Sequence, residues 1–149
     1  MEIQALRLLV GEDEINKALP RLIPPDAGIE NLRIRLVPEG LVVQGEYPTF
    51  MLRMSFETLW EVAAEAGRVR ARLSTVKVAG LPATLLRGVL LKVIRDATAQ
   101  QPGIVVQEDS ITVEPAPLLK AKEIPVTLYL TAVRPGLGHL FIEAGPPVA

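Results

Sequence analysis

The chain has 149 residues, 16 basic and 17 acidic side chains, one histidine and no cysteine. That length suits one ordinary domain, and the near-neutral balance gives no global attraction to nucleic acid or an anionic membrane. Disulfides, thiol nucleophiles, thiolate metal sites and zinc sites built on several imidazoles are excluded.

In chain order, Glu2 to Val10 reads as a strand that Gly11 breaks. Glu12, Asp13 and Glu14 open a short helix carrying Ile15, Ala18, Leu19, Leu22 and Ile23 at helical spacing. Acids in a first turn suit the positive end of the helix dipole. Pro20 is expected to end or kink that helix, and Pro24 to Gly28 to form a turn. Ile29 to Pro38 alternates as a strand, Pro38-Glu39-Gly40 turns, and Leu41 to Glu46 returns as its hairpin partner. The clearest strand follows, with Phe50, Leu52, Met54, Phe56, Thr58, Trp60 and Val62 on one face. Ala63 to Gly67 is read as the next turn. From Gly67 to Gly80 the apolar phase changes: Val69, Ala71 and Leu73 are odd, Val76 and Val78 even. A period of two shifts only through a bulge or bend, which is placed near Ser74 and Thr75.

The major helix is expected from Pro82 to about Gln100, its apolar face carrying Leu85, Leu86, Val89, Leu90, Val93, Ile94 and Ala97. Ile104 to Glu108 and Ser110 to Glu114 read as short strands, interrupted afterwards by Pro115-Ala116-Pro117. Val126 to Arg134 and His139 to Glu143 are the last strands, and residues 145–149 are expected to fray. Strands joined by short turns imply an antiparallel sheet. The expectation is a single α+β domain over residues 1–149: a highly curved antiparallel sheet wrapped around one long helix, with a short N-terminal helix.

Candidate chemistry is sparse. The chain has no G-x-S-x-G elbow, phosphate-binding loop or dinucleotide fingerprint. His139, in Gly136-Leu137-Gly138-His139, reads as a turn-edge residue, because general-base work also needs a partner and a nucleophile. No enzyme activity, metal or cofactor is expected. Arg68, Arg70 and Arg72 share one strand face, and Arg33, Arg35 and Arg53 lie on the polar faces of neighbouring strands. One reading is contact with phosphate headgroups. The simpler one is a solvated outer face paired to acids such as Glu46, Glu57 and Glu61. Nucleic-acid binding is not expected, since base stacking needs aromatics on the basic face.

The aliphatic surplus poses the main question. Leu, Val and Ile make 48 of the residues, aromatics only six, and mean hydropathy is +0.31. Val42 and Val43 are adjacent, Leu91 falls outside the main helix face, and Leu118, Leu119, Leu137 and Leu140 add more. Three explanations stand: a closed core in one protomer, an apolar homo-oligomer interface, or a lipid-lined groove between sheet and helix. Aliphatic walls suit acyl chains, each buried methylene contributing about 0.8 kcal/mol.

Several local patterns carry a family resemblance: GEDEINKALPRLIP, VPEGLVVQGE, GRVRARLSTVKVAGLPATLLRGVLLKVI and PGIVVQEDSITVEP. From about Val10 to Glu114 the chain resembles the LmeA-like phospholipid-binding family of bacteria, short members of the tubular lipid-binding (TULIP) superfamily. The resemblance implies a curved sheet around a long helix, an apolar groove for lipid tails and no catalysis. The lining nominated from the face assignments is Leu52, Met54, Phe56 and Trp60, with Leu73 and Val76 on the next strand and Leu86, Val89, Leu90 and Val93 on the helix. Arg68, Arg70 and Arg72 are the candidates for headgroup contact. The alternative is an interaction module whose apolar surface is a homodimer interface without a ligand. The start, MEIQALRLLVGEDE, lacks the pattern of a secretory signal, and no run is long enough to span a membrane. The expected location is therefore cytoplasmic, with peripheral membrane contact as a further expectation.

Overall fold

The computed structural model describes residues 4–22, 28–48, 53–78, 83–99, 101–121, 123–124 and 128–145. Among these the elements run β1 (Leu6–Gly11), α1 (Glu12–Leu22), β2 (Glu30–Val37), β3 (Gly40–Pro48), β4 (Arg53–Glu65), β5 (Arg68–Val78) and α2 (Ala83–Thr98). They continue with β6 (Ile104–Val106), β7 (Ser110–Val113), α3 (Pro115–Ala121), β8 (Leu130–Gly136) and β9 (His139–Ala144). A six-stranded sheet has the order β2-β3-β4-β5-β7-β6, and a three-stranded sheet the order β1-β9-β8. Every pairing is antiparallel. The class is α+β, dominated by antiparallel sheet.

Local chemistry explains the hairpins. Ala66 and Gly67 join β4 to β5 with φ of 51° and 80°. Positive φ at both central positions defines a tight turn whose twist matches the flanking strands. The strand therefore runs on through Ala63 to Glu65, and the turn is shorter than the Ala63–Gly67 expected. The anticipated bulge is present. Leu59 pairs with Thr75 and Trp60 with Leu73, which leaves Ser74 as the extra residue. Such a residue bends its strand and increases the local twist. A second irregularity separates Glu30 from Arg33 on β2, where Asn31 has φ 52°. Asn tolerates that region better than most residues.

Helix α1 covers the edge of β2. The Asn16 side chain accepts a hydrogen bond from Ile34 N–H and donates one to Ile34 C=O, both at 2.8 Å. One turn earlier, Glu12 Oε1 accepts the Leu36 N–H at 2.7 Å. Four helical residues rise about 6 Å and two strand residues about 6.6 Å, so the two spacings match. The acids read as helix-start electrostatics thus include one that also closes a sheet edge. Pro20 sits in the last turn, and α1 runs only two residues beyond it.

The Pro115-Ala116-Pro117 segment, expected only to interrupt, instead starts α3. Prolines in a first turn remove N–H groups that have no intrahelical partner there. At the other end, Ile124 N–H bonds Leu119 C=O at 2.8 Å and Glu123 N–H bonds Lys120 C=O at 3.0 Å. With Glu123 at φ 63°, these two bonds form a left-handed helix cap. Strand β8 begins at Leu130 rather than Val126, and Val126 lies outside the described residues. Of the tail expected to fray, Gly145 is described and residues 146–149 are not.

Two apolar clusters share β4. Phe56, Trp60 and Leu73 pack with Leu90 and Leu91 of α2. Farther along, Val62, Ala64 and Val69 pack against Leu130, Val133 and Ala144 of the small sheet. Leu130 also pairs with Gly67, tying the β4–β5 turn to β8. Much of the surplus is housed here: Leu91 is buried, Val42 is buried beside a packed Val43, and Leu140 joins the second cluster.

Candidate functional site

The nominated apolar lining can be followed residue by residue. Phe56, Trp60 and Leu73 come from the inner face of β4 and β5, and Leu90 from α2. Their exposures of 4%, 5%, 3% and 5% mark a closed contact between sheet and helix. Val76 packs against the same cluster, whereas Met54 is half-buried on β4 opposite Tyr47. Leu52 lies outside the described residues. Leu86, Val89 and Val93 fall within α2, but their side chains lie outside the described set. The cluster also includes residues not nominated: Leu91, and half-buried Leu41, Val43, Val106 and Ile111. Leu41 and Val43 lie opposite Trp60 and Thr58. Their inclusion follows from strand register, which alternation within one strand does not supply.

One polar relay is embedded in this face. Thr58 is fully buried. Its Oγ1 accepts the Trp60 indole N–H at 2.9 Å and donates to the Val43 carbonyl at 3.2 Å. The threonine on an apolar face thereby satisfies the one tryptophan. Gly45 faces Phe56, and a Cβ at that position would lie 2.8 Å from the ring. The missing side chain lets the ring lie across the neighbouring strand. Among the described residues no buried side-chain nitrogen or oxygen lacks a hydrogen-bond partner. The described part of this interior therefore offers a guest apolar surface and no free polar anchor.

A surface cleft of about 500 Å³ lies near the β3–β4 side, lined by Asn31, Gln44, Glu46, Ser55, Glu57 and Lys77 with Gly45, Phe56 and Val78. It shares Phe56 with the nominated lining, but six of its nine lining residues carry polar or charged side chains.

Arg68, Arg70 and Arg72 stand on one exposed face, and each meets a carboxylate. Arg72 Nη2 lies 2.7 Å from Glu61, Arg70 Nη1 3.2 Å from Glu65, and Arg68 Nε 3.9 Å from Glu114. The same holds for Arg53 with Glu30 and Glu46, and for Arg35 with Glu57. The geometry gives a charge-alternating outer face rather than a continuous basic one. Such exposed pairs are screened by solvent and contribute about 0–1 kcal/mol each.

His139 is exposed and folds over Gly136, where a Cβ would lie 2.6 Å from Nε2. Among the described residues no group of three or more His, Asp or Glu side chains is placed to hold a metal ion. No described helix is long and apolar enough to cross a membrane. In comparisons with known proteins the chain matched no family model, no curated protein and no solved structure.

Proposed function

We propose that this protein binds an apolar ligand, a lipid or fatty acyl chain, without catalysis, between the inner face of the six-stranded sheet and α2. The observation that carries the reading is the seating of Phe56, Trp60 and Leu73 against Leu90 and Leu91. Apart from Thr58, the sheet face from Phe56 to Trp60 is apolar, and α2 packs over it. The Ser74 bulge supports a sheet that curls around that helix, as in the family the sequence resembles. Leu90 and Leu91 occupy the place an acyl chain would take, so entry requires α2 to lift from β5. Exchanging side-chain contacts for methylene contacts costs little, because both are apolar and both exclude water.

The single tryptophan reports on this site. A fatty acid brominated along its chain should quench Trp60 fluorescence in a saturable way, and organic extracts of the purified protein should contain lipid. Unquenched fluorescence together with lipid-free extracts would sink the proposal.

A further inference from the structure

The four sheet edges are treated differently. The β2 edge is occupied by Glu12 and Asn16 of α1. The β6 edge is only three residues long, and β8 is tied to the β4–β5 turn through Leu130 and Gly67. The outer edge of β1 meets no described strand, and its side chains are open on both faces: Leu8 is 45% and Leu9 66% exposed. Folded proteins blunt such edges with prolines, charges, bulges or a cover, because unpaired N–H and C=O groups invite another strand. Here the middle of the edge carries two leucines.

We propose that β1 pairs antiparallel with β1 of a second copy across a two-fold axis at Leu8, joining the two small sheets into one six-stranded sheet. A two-fold normal to the sheet sets like faces together, so the axis must pass through a residue. An axis at Arg7 would set two guanidinium groups opposite each other, which is unfavourable. An axis at Leu9 would pair only Arg7 to Gly11 and set Leu6, the first residue of β1, against Glu12 at the start of α1. The Leu8 axis uses the whole of Leu6 to Val10 and places Leu8 against Leu8 of the partner subunit. It also sets Arg7 beside Leu9 of the partner subunit. The Arg7 charge is already met by Glu143 of its own chain at 3.3 Å, so its aliphatic stem is free to cover that leucine. No like charges face each other in this register.

This surface is separate from the apolar site under α2, and its test does not depend on a ligand. Sedimentation across the micromolar range should show a discrete dimer. Leu8→Lys, which sets two ammonium groups at the axis, should sediment as a monomer with an unchanged circular dichroism spectrum. The absence of native cysteine allows a second reading of the register. Opposed residues of antiparallel strands have Cα atoms about 4.5–5.5 Å apart, within disulfide range. Leu8→Cys should therefore form a covalent dimer under mild oxidation. Leu137→Cys, at an exposed turn away from the edge, should not. A monomeric wild type, a Leu8→Lys variant that folds and stays dimeric, or equal crosslinking at both cysteine positions would overturn the proposal. Should Leu8→Lys fail to fold, the paired cysteine variants alone decide it.

Discussion

Thr58 shows how a single hydroxyl is held in place by what surrounds it. Trp60 must bury its indole to form the apolar face, and burial obliges its N–H to find an acceptor. Thr58, two residues away on the same face, supplies that acceptor and donates its own O–H to the Val43 carbonyl. Thr58→Val keeps the shape but strands the indole N–H, which should cost about 1–3 kcal/mol in denaturant unfolding. Ala66 shows the opposite case, a residue poorly suited to its backbone. An alanine at φ 51° carries a left-handed penalty of about 1–2 kcal/mol, whereas asparagine suits the first position of this turn type. Ala66→Asn should therefore raise the thermal midpoint by a few degrees, read by a melting curve.

At the scale of elements, α1 is the cover of an edge as much as a helix. Asn16→Ala removes both bonds to Ile34 and leaves a half-buried N–H and C=O unpaired, at a cost of about 1–3 kcal/mol. Chemical unfolding of the variant checks this, and an unchanged midpoint would mean that solvent replaces the clamp. The elements themselves were largely legible in the sequence. Alternation along β4 and the phase change in β5 mark the strands and a bulge near Ser74 and Thr75, because a period of two leaves no other way to shift faces; the pairing register then singles out Ser74. The α3 helix was not legible, since prolines signal an interruption wherever their first-turn role goes unrecognised. Leu91, outside the main apolar face of α2, is buried for another reason: a helical wheel marks one face, while the sheet beneath α2 buries a wider arc. The roles of Glu12 and Asn16 depend on which strand edge α1 meets, a tertiary fact that spacing within the helix does not contain.

Over the whole molecule, charge is spent locally. The outer sheet face alternates Arg and Glu so that three arginines on one strand create little net field. Replacing Arg68, Arg70 and Arg72 together with Gln should lower stability by no more than about 1–3 kcal/mol, a loss that shrinks in high salt. A salt series of melting curves for wild type and variant checks it. The nominated apolar site divides in the same way between legible and hidden parts: Phe56, Trp60, Leu73 and Leu90 do meet, while Leu41 and Val43 enter only through pairing register. The shared position of β4 reaches further than packing. Its inward side chains belong to one cluster at Phe56 and Trp60 and to the other at Val62 and Ala64. Neither half can therefore open fully while the other stays intact, which makes the central strands the slowest to exchange their amide protons and unites both regions in one cooperative transition.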